Sequence, residues 1–515
     1  MAEQTPIQGN KVLITIAAML GALMSVIDIS IVNVALNDIR ASFGTPLDQI
    51  AWVSTGYAMA NVTIIPLSGW LQRRFGFRNY FSGSLLMFTA ASALCALAWN
   101  LPSLVVFRIL QGIGGGAIIP TSQNILFGRY PQKEHGMAGA LFALGAITGP
   151  LLGPTLGGKL IDVASWHWIF LINVPVGLLA AWVAFISIKE PTFQPTREPI
   201  DGRGIGLLAV GMVSLQYVLE EGNRDGWFED ARIVVLACAA AICLVTFVVH
   251  ELEIEHPVVD FRVFRNVSYT AATALNFLLG TALFAGSFLY SLFCGTILHY
   301  GAMEIGLLFL RGSWIQLLIM PLVGRMIGKV DSRALIAFGV LGCVVSLWLN
   351  GHLTQLGDTH ALTMPIFVRS LGLGFCFVPL SVVALSGLSP RQRGSAAGLF
   401  NLTRELGGSI GTAWMSTMLT NNAHQFRSDL ARYADPYNPL FQEQLRQAQG
   451  AVARLPDPVQ SGYALLASRL DSQALIRAFN SGFLVLAGVF ALSFLLVFLL
   501  RKPKGNPAEA AAAAH

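Results

Sequence analysis

The chain has 515 residues, of which 54% are hydrophobic and only 12% are charged. A soluble protein of this length carries about twice that share of charged residues, so the composition excludes a soluble protein and indicates one that lies in a bilayer. The net charge of +5 is typical of basic loops in a membrane protein and does not indicate nucleic acid. Six scattered cysteines without a CxxC pair predict neither a disulfide framework nor a zinc site.

Fourteen apolar segments are long enough to cross a membrane, which takes about 20 residues. The first is too long for a cleavable signal, so we expect it to be retained. The sequence therefore predicts an all-α membrane protein. The segments lie near 12–36, 50–70, 79–98, 104–127, 136–160, 168–188, 204–220, 231–250, 269–295, 302–328, 333–352, 362–387, 396–419 and 478–500.

An even number of spans puts both termini on one side, and basic loops mark the cytoplasmic side. The loops on the side of the termini are rich in Lys and Arg, whereas the opposite short loops are not. Both termini are therefore predicted to be cytoplasmic. A long polar outer segment at 420–477 is exempt from the charge rule because of its length. The basic residues on the side of the termini are Arg73, Arg74, Arg78, Arg129, Lys133, Lys189, Arg197, Arg203, Arg262, Arg265, Lys329, Arg333, Arg391, Arg393, Arg501, Lys502 and Lys504.

The chain repeats itself. Pro66-Leu67-x-Gly69 recurs as Pro321-Leu322-x-Gly324, and the pattern from Gly136 recurs from Gly394, 258 residues later. Two parallel-related halves are typical of transporters, with the site between the halves. We predict two six-helix bundles with two helices inserted between them. The predicted units are 1–190, 191–268, 269–500 and a cytoplasmic tail at 501–515.

A run of glycines marks the fifth predicted span. Glycines four residues apart share one slowly drifting face and let a neighbouring helix approach closely, and prolines bend the helix. We expect the two halves to move against each other along this face. The residues are Gly145, Gly149, Gly153 and Gly157, with Pro150 and Pro154.

Asp28 and Arg108 lie inside predicted spans, where each charge costs several kcal/mol unless it is useful or paired. Asp28 is a candidate to bind a proton or a cationic substrate, and the alternative is a structural polar cluster with Asn33. Arg108 could pair with a carboxylate or govern proton release. Alternatively, its side chain could extend to the outer interface.

Further charges fall in the second half. Arg404 and Glu405 lie in one span, and neighbouring helix positions point about 100° apart, so they need not pair. Glu304 lies near an outer edge, where it could simply be solvated. Arg369 lies well inside its span and, like Arg404 and Glu405, fits a functional or a structural role.

Aromatic side chains could line an apolar substrate cavity, although most aromatic residues in membranes only pack or anchor. With Asn33, the candidates for substrate contact are Tyr57, Phe284, Phe288 and Tyr290.

The basic loop GWLQRRFGFR supplies Gly69, Arg74, Gly76 and Arg78. Its arginines could satisfy the charge rule alone, or could latch one conformation by reaching carboxylates or helix ends across the gap between bundles.

Together these motifs resemble the Major Facilitator Superfamily, and in particular its fourteen-span drug/proton antiporter family. Each motif alone is weak, and the resemblance covers almost the whole chain. The matching motifs are Asp28 with Ile31 to Ala35, Gly69 to Arg78, Arg108-x-x-Gln111-Gly112, Gly145 to Gly158, Trp166 to Pro175, and Asn401 to Arg404 with Gly407-Gly408. Arg73 departs from the pattern, because the loop motif usually has Asp there.

The resemblance implies the superfamily fold and proton-coupled export of hydrophobic or amphipathic drugs across a bacterial inner membrane. It links Arg108 and Gln111 to proton coupling, for which Asp28, Glu304, Arg404 and Glu405 are the other candidates. It also implies a periplasmic adaptor and an outer-membrane channel as partners. Two alternatives remain: export of one native metabolite or fatty acid, and a membrane scaffold that transports nothing. We expect no enzymatic activity, cofactor or metal, because no catalytic or metal-binding motif stands out.

Overall fold

The computed structural model describes residues 7–191, 193, 200–355, 357–386, 388, 390–432, 434–435, 437–454 and 456–500. These residues are mainly helical. The first helices are α1 (Lys11–Phe43), α2 (Leu47–Ile50), α3 (Trp52–Ala96), α4 (Leu101–Arg129), α5 (His135–Val163), α6 (Trp168–Leu171) and α7 (Asn173–Ser187). They are followed by α8 (Gly202–Glu221) and α9 (Ala231–Glu253). The remainder are α10 (Val267–Thr296), α11 (Ala302–Met326), α12 (Ser332–Asn350), α13 (Thr359–Ser386), α14 (Pro390–Ala431), α15 (Pro439–Ala451), α16 (Pro458–Leu492) and α17 (Phe494–Val497).

Each of the fourteen predicted spans overlaps helical residues of the structure. Two of them, 50–70 and 79–98, fall on α3 apart from two residues at each outer end, and α3 is kinked where Gly76 takes φ 78°. A side chain rarely adopts this backbone conformation, so a glycine suits the kink. Within the described residues, 10 helices are long and apolar enough to cross a membrane. The count of fourteen therefore stays a prediction.

The start of the chain defines one face of the molecule. Gln8 forms an isolated β-bridge with Lys189, and Lys11 pairs with Glu134 before α5. We call this the proximal face, and the opposite one, where α1 ends and α4 begins, the distal face. The basic tail residues Arg501, Lys502 and Lys504, and Arg197, lie outside the described residues.

The helices pack in two groups. In the first, α1, α3, α4, α5 and α7 contact one another, and in the second, α10 to α14 and α16 do. Between the groups, α5 contacts α11 and α13, while α14 contacts α3 and α4. The helix α8 packs on α9 and touches both α3 and α14. The division at 190 and 268 remains a prediction that fits this packing.

Two close backbone contacts join the groups near the proximal face. A Cβ at Gly69 would lie 2.5 Å from the carbonyl carbon of Gly394, and a Cβ at Gly324 would lie 2.7 Å from the oxygen of Gly136. Gly69 and Gly324 are repeat counterparts, and so are Gly136 and Gly394. Each of the two contacts is therefore the repeat counterpart of the other, as a twofold axis between the halves requires.

The glycine face of α5 has a different neighbour from the one we expected. Cβ atoms at Gly145 and Gly157 would meet Met19 and Ile31 of α1, and one at Gly149 would lie 2.6 Å from Val26. This face packs within the first group, because a small-residue face accepts any near helix and α1 belongs to the same group. That the halves move along it stays a prediction. Gly153 also faces α1, at Ser30. The side chains of Pro150 and Pro154 lie outside the described residues.

The segment 420–477 folds as helices beyond the distal end of the bundles. The helix α14 continues to Ala431, α15 packs on α16, and Arg427 of α14 pairs with Asp471 of α16 at 2.7 Å. A cavity of about 760 Å³ lies among these three helices. This region is called the distal subdomain below.

Gly69→Val should hold the two groups apart at the proximal face, because the new side chain would overlap the backbone of Gly394. A single cysteine replacing buried Ser68 should then react severalfold faster with a membrane-impermeant maleimide, in a background without Cys238 and Cys243. Gly83→Val is the matched control, because a Cβ there meets nothing within 4 Å. Equal labelling rates in the two variants would contradict this contact.

Candidate functional site

A buried ion pair lies inside the first group of helices. Arg108 Nη1 lies 2.5 Å from Asp28 Oδ2, and the two side chains are 1% and 0% exposed. Asp28 lies near the middle of α1 and Arg108 in the second turn of α4. The proposal that Arg108 extends to the outer interface is therefore wrong, because its side chain is enclosed among helices.

Two amides complete the surroundings of the Asp28 carboxylate. Gln111 Nε2 and Asn173 Nδ2 each donate to Asp28 Oδ1 at 2.8 Å. Both amides also donate to Ser92 Oγ, at 3.2 and 3.1 Å. Asn33, which the sequence offered as a structural partner of Asp28, instead accepts from Ser54 at 3.1 Å. The cluster thus joins α1, α3, α4 and α7.

The guanidinium of Arg108 is held on its other sides as well. Its Nε donates to the Val53 oxygen at 3.1 Å, and Nη1 donates to Gln111 Oε1 at 2.7 Å. Its Cζ lies 4.2 Å from the centre of the Tyr57 ring, which is a cation–π contact. Removing one member of such a buried pair leaves a charge without compensation, which costs about 3–5 kcal/mol. A loss of charge at Asp28 would therefore leave Arg108 without its counter-ion.

The second group of helices holds a related pair without a carboxylate. Arg369 of α13 donates from Nη1 to Ser287 Oγ of α10 at 2.9 Å. Its Cζ lies 5.4 Å from the centre of the Phe309 ring, so an aromatic ring again covers the guanidinium. Serine carries no charge to exchange, so this pair offers no proton site comparable to Asp28.

Among the described contacts, none of the other charged candidates bonds to Asp28. Arg404 Nη2 lies 3.6 Å from Glu405 Oε1 on α14, so these neighbours do meet, although the helix alone does not require it. Arg404 is buried and covers the Phe377 ring. Glu304 is exposed at the start of α11, where it accepts from Gly301 N at 2.8 Å. That contact caps the helix and gives Glu304 a structural role.

The residues predicted for substrate contact do not form one site. Tyr57 belongs to the Arg108 cluster, and Tyr290 is buried and donates to the Leu362 oxygen at 3.0 Å. Phe284 packs on Gly408 of α14 and is half-buried, as is Phe288. Asn33 is exposed near the distal end of α1. Phe284 and Phe288 therefore remain the aromatic candidates with accessible surface.

The basic loop at the kink of α3 makes contacts on both sides of the gap between groups. Arg73 Nη1 donates to Ser395 Oγ of α14 at 3.4 Å, which crosses the gap. Arg78 Nε donates to the Phe185 oxygen at the end of α7, at 2.7 Å. Glu190 accepts from the amides of Phe77 and Arg78, which ties the kink to the end of the first group. Arg74 also has an interaction partner.

Sequence reasoning brought out Asp28, Arg108 and Gln111 but assigned no site role to Asn173 or Ser92. Asn173 follows its aspartate by 145 residues, and only packing brings the two together. The available signal was an amide at the start of an otherwise apolar helix, within the motif that ends at Pro175.

We predict that Asp28→Asn lowers the free energy of unfolding by about 3 kcal/mol, because buried Arg108 loses its counter-ion. Asp28→Asn combined with Arg108→Gln should recover most of that loss, since no buried charge remains. Thermal unfolding of the purified protein in detergent measures both. Arg369→Gln is the control, because its serine partner carries no charge and so no unpaired buried charge is left behind. Purely additive losses in the double variant would show that the two residues are not coupled.

The chain resembles known proteins over nearly its whole length. The profile of the Major Facilitator Superfamily matches residues 18–412. The multidrug export protein EmrB of Escherichia coli (strain K12) is 33% identical over 507 residues, which cover 98% of each chain. The fatty acid resistance protein FarB of Neisseria gonorrhoeae is 31% identical over 503 residues, covering 97% of this chain and 98% of FarB.

Solved structures show the same fold. The proton:xylose symporter XylE bound to 6-bromo-6-deoxy-D-glucose aligns with a TM-score of 0.62 at 14% identity, covering 96% of this chain and 97% of that one. An identity this low speaks for the fold alone. The family and the fold expected from the motifs are thereby confirmed, with a multi-pass arrangement in the membrane. The chain belongs to the Major Facilitator Superfamily and is a relative of EmrB.

Proposed function

We propose that the protein exports hydrophobic or amphipathic drugs across the bacterial inner membrane in exchange for protons. The observation that carries this proposal is the Asp28–Arg108 pair with Gln111, a buried carboxylate inside a superfamily transporter. The similarity to EmrB supports drug export. In this proposal both termini are cytoplasmic, so the proximal face is cytoplasmic and the distal face is periplasmic.

Proton binding at Asp28 would drive the change of conformation. A protonated Asp28 no longer balances Arg108, and the buried guanidinium then favours an arrangement in which it regains a partner. Asp28 lies on α1, which packs on α5, and α5 contacts α11 and α13 of the second group. A shift of α1 therefore reaches the contact between the halves through α5.

The energetics suit such an exchange. Moving one charge down the membrane potential releases about 2.3 kcal/mol per 100 mV. That free energy supports a concentration ratio of about fortyfold. For an uncharged compound the membrane potential is thus a sufficient source of energy for accumulation outside the cell.

Inverted vesicles test the exchange directly. Adding a transported compound should release protons from acidified vesicles, seen as recovery of a pH-sensitive dye, and Asp28→Asn should abolish this release. Glu304→Gln is the control, since Glu304 caps a helix and lies away from the cluster, and it should keep the release.

The outcomes separate the candidate functions. Release that survives Asp28→Asn would move the proton site to Glu405. Because FarB is related, the compounds should include a long-chain fatty acid beside several dyes and drugs. A response to one compound alone would favour a dedicated exporter, and no response to any compound, with protein present, would contradict drug/proton exchange.

We also propose that the distal subdomain binds a periplasmic adaptor that leads to an outer-membrane channel. The supporting observations are its helices, which continue past the bundles, and its exposed apolar side chains. Tyr437 is 91% exposed and Leu440 75%. Where such side chains form a contiguous patch outside the apolar spans, they are typical of a protein interface.

Leu440→Asp should lower drug export by cells while leaving transport by purified protein in proteoliposomes unchanged, because only the adaptor contact is affected. Drug accumulation in cells and in proteoliposomes measures the two activities. Val163→Asp is the control, since Val163 is 79% exposed on the distal face but outside the subdomain. Equal losses in cells for both variants would argue against a specific contact.

A further inference from the structure

The inserted helix α8 is bonded to the second group near the distal face. Gln216 Nε2 donates to Ser409 Oγ of α14 at 3.1 Å. Beyond the helix, Asn223 Nδ2 donates to Ser416 Oγ at 3.0 Å, and Trp227 Nε1 donates to Thr417 Oγ1 at 2.9 Å. These bonds hold the distal half of α8 against α14.

The same part of α8 also faces the first group. The rings of Tyr217 and Trp52 of α3 lie 5.8 Å apart, and Thr55 of α3 hydrogen-bonds Glu220. The last turns of α8 thus lie between the two groups, with both contributing side chains. A site here would be formed by three elements that move relative to one another in a transporter.

Glu220 lies in these last turns of α8 and, among the described residues, has no charged partner. Its Oε1 accepts from Gln216 Nε2 at 2.7 Å, and Thr55 is its other hydrogen-bond partner. Among the described residues no Lys, Arg or His lies within ion-pair distance of Glu220. The next residue differs, since Glu221 is buried and pairs with Arg224 at 2.6 Å.

The Glu220 residue is also accessible. It is exposed, whereas the Gln216 that orients it is buried. A carboxylate in an apolar helix is costly unless it pairs or serves a ligand. Its hydrogen-bond donors carry no charge that could compensate it. Tyr217 precedes Glu220 by one turn of α8, and its half-buried ring packs on the half-buried ring of Trp52. An accessible anion next to aromatic faces is the chemistry that recognises a lipophilic cation.

We propose that Glu220 binds the cationic group of amphipathic monocations, with the apolar part of the compound against Trp52 and Tyr217. This site rests on the proposed export function and names one substrate class for it. It is distinct from the Asp28 cluster, which is built from α1, α3, α4 and α7. Only α3 contributes to both.

The test compares binding of ethidium, a monocationic dye, with transport of Nile red, an uncharged one. Glu220→Gln keeps the shape of the side chain and removes its charge, so the Kd for ethidium should rise about tenfold or more, as expected for loss of a charged partner. Proton-driven transport of Nile red should stay within about twofold of wild type. Glu220→Asp, which keeps the charge, should retain most ethidium binding.

Glu229→Gln is the matched control, since Glu229 is an exposed carboxylate in the turn that follows α8, and it should leave both readouts unchanged. An unchanged ethidium Kd in Glu220→Gln, or a wild type that does not bind ethidium, would overturn the inference. Loss of Nile red transport in Glu220→Gln to the same degree as ethidium binding would also overturn it, because the residue would then be structural. The proposed function has its own test, because it fails only if no compound of the vesicle experiment releases protons with the wild type, whatever the ethidium Kd of Glu220→Gln.

Discussion

A single buried ion pair constrains the first half of this protein. Asp28 and Arg108 can share the interior only if each has its full set of partners, because an uncompensated charge there costs several kcal/mol. That requirement explains why the amides of Gln111 and Asn173, from two helices, converge on one carboxylate, while Ser92 from a third helix accepts from both amides. It also explains why an aromatic ring covers the guanidinium.

Close backbone contacts play the complementary role between the halves. Gly69 meets Gly394, and Gly136 meets Gly324, with no side chain between them. Such contacts leave little room for adjustment, so the proximal ends are either packed or apart. The ion pair lies on helices joined to these contacts through α5. In the proposed function, a change of charge at Asp28 would act on helices that pack, through α5, against the second group.

Much of this architecture could be predicted from the sequence, because length and apolar character determine a membrane helix. The pattern of charges within spans likewise brought out Asp28 and Arg108. Which helix packs against which was harder to predict from the sequence. The sequence predicts that the glycines of α5 meet a helix, but not that this helix is α1, since any close neighbour satisfies a small-residue face.

Sequence reasoning missed Asn173 and Glu220 for the same reason, which is that only packing reveals their partners. Asn173 looks like an ordinary amide near a helix start until packing places it against Asp28. Glu220 stands next to Glu221 and Arg224 at the end of a span, where charges usually belong to a solvated loop. Only the contacts with Thr55 and Gln216 distinguish it from its neighbour.

The serine that faces Arg369 has a consequence for the electrical balance of the transporter. With Asp28 as the proton carrier in one half and an uncharged hydroxyl in the other, the proposed exchange of one proton for an uncharged drug moves a net charge, so membrane voltage and pH gradient both drive it. Exchange of one proton for a monocation moves no net charge, and only the pH gradient remains as a driving force. A collapse of the membrane voltage would therefore slow the export of uncharged drugs and leave the export of monocations unchanged.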